Sequence, residues 1–346
     1  MKLLFIFTGG TIGSTLDGAY ISPDRSKAYR LIEAYAEKYG IDFEYDLTEP
    51  YTALSENNTG LQIKALCRSV KGALGQGYDG IIVTHGSDTL QYSAAAVGYC
   101  IGLDTEPVCL VASNAPIENE TSNALDNLHG AVRFIEGRAG RGAFAVYRNS
   151  GSDRVLVHRA TRLIGGIAYS DELMSAQGVI YGELDCDFKF RKNDSYADIP
   201  DALPPFDPSV LSENNSEALV LYSYPAMTYP KIGQGVKYII FNTYHSGTLN
   251  THSSSARAFF ASARERNIPV YVTGVSEGPQ YSSAEAFGGL GITPISSLSP
   301  VAAYIKLWFS YSSGSDPQKI LNSPLSSDLL SFSKESRQRK LPPDIV

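Results

Sequence analysis

Short continuous apolar runs that end in glycine or small polar residues, alternating with stretches of helical period, constrain this chain more than any other feature. Leu3 to Phe7 runs into Thr8-Gly9-Gly10, Ile81 to Val83 leads to His85-Gly86, and Val108 to Val111 leads to Ser113-Asn114. Runs without polar alternation suit strands buried on both faces, the condition of a parallel sheet covered by helices. Between and after them, apolar residues recur at helical spacing: Leu66, Val70 and Leu74; Leu90, Ala94, Val97 and Ile101; Leu125, Leu128, Val132 and Ile135. Strand and helix alternate. The expected fold class is therefore α/β, with a larger N-terminal, mostly parallel sheet domain flanked by helices over residues 1–187.

The pattern breaks between Phe188 and Glu217, where Pro200, Pro204, Pro205 and Pro208 stand among polar residues without a sustained period. This stretch, 188–217, reads as a linker. Alternation resumes with Ala218 to Tyr222, Tyr238 to Phe241, a helix carrying Ala256, Phe259, Phe260 and Ala263, and Val270 to Val272. A smaller C-terminal α/β domain over 218–333 follows, with a Ser-, Lys- and Arg-rich tail at 334–346. A chain of 346 residues has room for two such domains.

Several classes of function are disfavoured. Lys plus Arg total 29 against 36 Asp plus Glu, a net charge of −7, and no dense basic stripe is present, so a nucleic-acid partner is not expected. The N-terminal apolar run stops after five residues at Thr8, too short for a secretory core, and no window approaches a membrane-spanning length. Cys67, Cys100, Cys109 and Cys186 are widely spaced, which suggests buried free thiols and a cytoplasmic setting. The five histidines show no metal-ligand spacing, so no metal site is expected. Gly274-Val275-Ser276-Glu277-Gly278 matches a nucleophile elbow, but every histidine precedes Ser276, whereas that triad needs one after it. It reads as a strand-to-loop turn.

Two loops leave predicted parallel strands at their carboxyl ends, where ligands collect in such sheets. Thr8 to Thr11 offers two hydroxyls flanked by glycines; Thr84 to Thr89 offers Ser87 and Asp88 beside a helix start. Asp88 also suits the N-cap of the helix running to Ile101. Hydroxyls and a carboxylate in one crevice, with backbone N–H groups bared by glycine, satisfy the needs of acyl transfer through an oxyanion hole.

Thr8-Gly9-Gly10-Thr11-Ile12-Gly13 together with His85-Gly86-Ser87-Asp88-Thr89 resembles the two signature motifs of the bacterial-type L-asparaginase family, over Lys2 to about Phe309. The resemblance implies a nucleophile at Thr11, an assisting lid tyrosine at Tyr20 in Gly18-Ala19-Tyr20-Ile21-Ser22-Pro23, and a hydroxyl and carboxylate pair at Ser87 and Asp88. Asp88 would also hold the substrate's α-ammonium. Leu54-Ser55-Glu56-Asn57 resembles the substrate-gripping loop, with Ser55 meeting the α-carboxylate and Glu56 beside the α-ammonium. His245-Ser246-Gly247-Thr248 resembles the loop that reaches a neighbouring subunit's site, which implies a homodimer or homotetramer.

One departure is sharp: in Arg159-Ala160-Thr161-Arg162 the family's catalytic lysine is replaced by Arg162, which cannot shed a proton at physiological pH. The expected function is hydrolysis of L-asparagine to L-aspartate and ammonia through a threonine acyl-enzyme, without a cofactor. Its alternatives are an amidase acting on a different amino-acid amide, and a weakly active or non-catalytic amino-acid-binding homologue.

Overall fold

The fold was analysed in a computed structural model, which describes residues 1–10, 12, 14–17, 20–23, 27–167, 169–275 and 281–330. The first apolar run forms β1 (Lys2–Phe7); a hairpin of β2 (Ser14–Asp17) and β3 (Tyr20–Pro23), helix α1 (Lys27–Tyr39) and strand β4 (Glu44–Thr48) follow. Next come α2 (Gly60–Ala73), β5 (Gly80–Thr84), α3 (Leu90–Ile101), β6 (Val108–Val111), α4 (Ala124–Glu136) and β7 (Ala143–Tyr147). The chain then turns back through β8 (Val155–Arg159), a hairpin of β9 (Leu163–Gly166) and β10 (Leu173–Ser175), β11 (Gly182–Leu184) and β12 (Phe190–Lys192).

These strands build an eight-stranded sheet in the order β12-β11-β8-β7-β6-β5-β1-β4. The run β4-β1-β5-β6-β7 is parallel, and β8, β11 and β12 are antiparallel. Strands β5, β6 and β7 are buried at every residue, as their uninterrupted apolar sequences require. Leu3, Phe5 and Phe7 of β1 pack with Leu31, Tyr35, Leu128, Val132 and Ile135 of α1 and α4. The expected α/β class is the one found. Helix α2 begins in a capping box: Thr59 Oγ1 accepts from Leu61 N at 3.2 Å, while Gln62 Oε1 accepts from Thr59 N at 3.0 Å.

A second unit contains β13 (Ala218–Tyr222), β14 (Tyr238–Asn242), α5 (Ser254–Glu265), β15 (Val270–Thr273), α6 (Ser282–Leu290) and β16 (Ile292–Pro294). Its four strands form a parallel sheet in chain order around a core of Ile239, Phe241, Phe260 and Val272. Helices α7 (Pro300–Ser313) and α8 (Pro317–Asn322) come last.

The division of the chain differs from the expected one in two places. Residues Val301–Asp328 belong with Met1–Asn215, and Ser216–Pro300 form the other unit with Leu329 and Leu330 among the described residues. The reason is a buried polar seam: Lys306 pairs with Asp328 at 2.5 Å, Tyr99 OH donates to Asp328 at 2.9 Å, and Thr161 Oγ1 donates to Ser326 O at 2.7 Å. The stretch expected as a linker also starts as structure, since Phe190–Lys192 pairs with β11 and Tyr196 is buried. Three of the cysteines are buried free thiols, whereas Cys186 is exposed. The described residues contain no helix long and apolar enough to cross a membrane. Ser276 and the 334–346 tail lie outside the described residues.

Candidate active site

The chain leaves β1 toward β4 on one side and returns through β5 on the other, so the loops after β1 and β5 part in opposite directions. That opens a crevice at the carboxyl ends of the two strands. Three loops meet there. Gly9 and Gly10 have φ of +92° and +77°, in the region where a side chain is strained. Gly10 N donates to Ala53 O at 3.0 Å and Ala53 N donates to Thr8 O at 3.1 Å, which stitches the β1 loop to the loop before α2. A Cβ on Gly10 would lie 2.5 Å from Gly86 Cα, and one on Gly86 would lie 2.5 Å from Ser55 Oγ. Glycine is therefore required on both sides of a close approach.

Hydrogen bonds lock this arrangement. Thr8 Oγ1 donates to Thr84 O at 2.8 Å, and Thr89 Oγ1 donates to Ser55 O at 2.9 Å. His85 is fully buried; its Nδ1–H donates to Gly86 O at 2.8 Å, leaving Nε2 to accept from the Asn58 amide at 3.3 Å. Burial pushes its pKa down to about 4, so the ring is neutral and acts as a strut rather than an acid.

Ser55 opens a short 3-10 turn (Ser55–Asn57) and is buried with its Oγ unpaired, while Glu56 on the same turn is exposed. An unpaired buried hydroxyl at a crevice is poised for a ligand oxygen. Ser87 is half-buried and Asp88 exposed, and the Asp88 carboxylate has no partner among the described residues. Asp88 does not cap α3: the cap position is Thr89, which makes no side-chain cap bond. Thr11 lies outside the described residues. Its neighbour Ile12 is 1% exposed in the β1 core. For Tyr20 only the backbone is described, in β3.

Arg162 lies apart from this cluster. Strand β8 runs antiparallel to β7, pairing Leu156 with Tyr147 and Arg159 with Phe144, so the chain leaves β8 toward Arg162 at the amino-terminal end of β7, away from the carboxyl ends where the crevice opens. The guanidinium, 4% exposed, donates to Ser327 O at 2.7 Å, Ser327 Oγ at 3.1 Å and Ala197 O at 3.3 Å, and lies over the Tyr196 ring at 4.4 Å. Burial lowers its pKa, opposed by Tyr196 and Asp198. Its neighbour Thr161 packs against Gly98, about 12 Å along α3 from Leu90 at 1.5 Å per residue. Among the described residues these bonds are made to Ser327 and Ala197, and none joins Arg162 to Ser87 or Asp88.

The profile of the N-terminal asparaginase domain matches residues 2–164. These residues belong to the asparaginase family. Among curated proteins the chain is similar to the glutamyl-tRNA(Gln) amidotransferase D-subunit of Pyrobaculum aerophilum, 30% identical over 47% of this chain and 39% of that protein. The corresponding protein of Saccharolobus islandicus is 23% identical over 92% of this chain and 73% of its own length. The chain thus spans well under half of the first relative's length. Among solved structures it resembles the thermostable L-asparaginase of Thermococcus kodakarensis, with a TM-score of 0.76 and 20% identity over 96% of this chain and 100% of that one. L-asparaginase I of Vibrio cholerae gives 0.74 at 17% identity, over 95% and 99%. At such identities the likeness is one of fold.

Within this asparaginase domain, the supports that sequence reasoning passed over are Ala53 and Asn58, which belong to no motif; His85 stands in the second motif, but its part as a buried strut was not foreseen. The glycines were the available signal. Gly10→Ala should cost about 1–3 kcal/mol through its positive φ and its close approach to the Gly86 backbone. Thermal unfolding checks this; an unchanged midpoint would show that the close approach is not needed.

Proposed function

We propose that the chain is an amidohydrolase of the L-asparaginase type, hydrolysing L-asparagine to L-aspartate and ammonia. The supporting observation is the convergence of the Thr8–Gly10, Ala53–Ser55 and Gly86–Asp88 loops, which brings an unpaired buried hydroxyl and a free carboxylate to one glycine-bared crevice. In this reading Thr11 is the nucleophile and Tyr20 assists from the lid. Ser55 donates its hydroxyl proton to the α-carboxylate, Glu56 and Asp88 face the α-ammonium, and Ser87 supports proton transfer. A threonine hydroxyl is a weak nucleophile, so attack needs a group to take its proton and donors for the oxyanion. Water then discharges the acyl-enzyme. Arg162 acts as an anchor of the scaffold rather than as a base.

Ammonia release from asparagine, glutamine and simple amides by the purified chain tests this reading, and turnover of none of them would reject it. Asp88→Asn should raise KM for asparagine by about 10- to 100-fold, the loss of a charge-assisted hydrogen bond worth about 1.5–3 kcal/mol, and should spare an amide lacking the ammonium. Equal losses on both substrates would assign Asp88 to support alone.

The curated relatives favour a second reading, in which the chain frees amide nitrogen as one component of an amidotransferase. Under it the purified chain is inactive until a second protein binds. Under the first it is active as a homodimer or homotetramer, and light scattering on the active fraction separates the two.

A further inference from the structure

The three loops that form the crevice also enclose a polar cluster of which the proposed chemistry uses only Ser55. Tyr51 and Asn58 enter it from the chain between β4 and α2, Thr8 follows β1, and Thr84 and His85 end β5 and begin its loop. The Tyr51 hydroxyl stands beside the Thr8 and Asn58 side chains. Tyr51 OH, Asn58 Oδ1 and Thr84 Oγ1 are buried without a hydrogen-bond partner.

The bonds that are made have a direction. Gly86 O can only accept, so the His85 nitrogen 2.8 Å from it, Nδ1, carries the ring proton. Burial keeps the ring neutral, which leaves Nε2 as a bare acceptor. The group 3.3 Å from Nε2 is therefore a donor, and that orients Asn58 with its amide nitrogen on the ring and Oδ1 turned away. Asn58 thus selects the tautomer that binds Gly86 O. The ring is fully buried, so the Gly86 carbonyl is drawn inward, while the Ser87 N–H, across the same planar peptide, points the opposite way. This peptide sets the directions in which Ser87 and Asp88 leave the backbone. Asn58 N also donates to Ser55 O at 3.0 Å, which ties the same residue to the turn carrying Ser55 and Glu56.

We propose that Asn58 is a positioning residue: through the His85 ring it fixes the Gly86–Ser87 peptide, and with it the Ser87 and Asp88 side chains, against the Ser55–Asn57 turn. The kinetic consequence rests on the amidohydrolase reading; the Asn58–His85 latch does not.

Two variants of the full-length protein test it, with thermal unfolding confirming that each folds. Asn58→Leu removes the donor and should lower kcat/KM for asparagine by about 10-fold or more at every pH. Asn58→Asp keeps the size but can only accept. On a neutral ring it draws the proton to Nε2, leaving Nδ1 bare against Gly86 O; on a charged ring both nitrogens donate and the bond to Gly86 O returns. The introduced carboxylate also raises the His85 pKa from about 4. The other titratable groups on the surrounding segments are Tyr51, Glu56, Cys67 on α2 and Asp88, and all are common to variant and wild type. The ratio of variant to wild-type kcat/KM should therefore rise as pH falls, in step with protonation of His85 followed by ¹⁵N NMR of the ring, and the Asn58→Leu ratio should stay flat.

Wild-type kcat/KM in folded Asn58→Leu, or an Asn58→Asp ratio that ignores the charge on His85, overturns the positioning role. Should Asn58→Leu not fold, the Asn58→Asp profile alone decides. A wild-type ring protonated on Nε2 rather than Nδ1 overturns the latch whatever the activity. An Nδ1–H ring in the wild type and a raised His85 pKa in Asn58→Asp, with no hydrolysis of any amide, would fail the amidohydrolase reading and leave the latch standing.

Discussion

Thr11→Ala should reduce ammonia release from asparagine by about three orders of magnitude or more while leaving the unfolding midpoint unchanged. A covalent mechanism through Thr11 has no bypass once the hydroxyl is gone, and loss of a nucleophile lowers kcat without requiring weaker substrate binding. Folding should survive because the elements on either side of this position are secured independently. Gly10 is bonded to Ala53 and abuts Gly86, and Ile12 is buried in the β1 core. Only one small side chain is trimmed. Asparagine should still bind the inactive variant, which calorimetry would register as binding without turnover. Undiminished hydrolysis would remove Thr11 from the mechanism and leave the crevice as a binding site.

How far the sequence foretold this arrangement depended on whether the local pattern was tied to burial. Val108 to Val111 and Ile81 to Val83 were legible because a strand covered on both faces has to be apolar throughout, and both are fully buried in the sheet. Strand β4 was not legible. It lies at the sheet edge with the sequence Glu-Tyr-Asp-Leu-Thr, half of its environment is solvent, and nothing forces an apolar pattern on it. The two glycine-bearing loops could be brought to one crevice from their positions after strands alone.

Arg162 shows a different limit. It stands where the resemblance puts a catalytic lysine, yet whether β8 runs parallel or antiparallel to β7 is settled by the Arg148–Arg154 turn and by pairing, not by the residues around Arg162 itself. The antiparallel course carries it toward the amino-terminal end of β7, where Ser327 and Tyr196 engage it. Residues 301–328 were misplaced for a similar reason. Val301, Ile305 and Phe309 make an apolar helix face that either unit could bury, and only the distant partners Tyr99 and Thr161 decide which one does.

The second large effect is expected in that seam. Lys306→Met should destabilise the protein by about 3–5 kcal/mol, because it strips the counter-ion from a carboxylate that has no access to water. Lys306 and Asp328 are both 0% exposed; Lys306 Nζ also donates to Ser323 O at 2.7 Å, and Asp328 accepts from Leu325 N at 3.0 Å and Tyr99 OH at 2.9 Å. Burial lowers the Lys306 pKa while Asp328 raises it, so neither charge is comfortable without the other. Replacing both, as Lys306→Met with Asp328→Leu, should recover part of the loss, since no unpaired charge then stays buried. Urea unfolding measures each step, and a single-variant cost under about 1 kcal/mol would show that the pair contributes little. The seam also holds Thr161 and Arg162 through Ser326 and Ser327, so hydrogen exchange should quicken around residues 160–163 in the single variant. The folded fraction should keep any kcat it has, because these contacts lie past the amino-terminal end of β7, away from the β1 and β5 loops. A collapse of kcat in protein that remains folded would instead tie Arg162 to the chemistry and reopen the role its motif position implied.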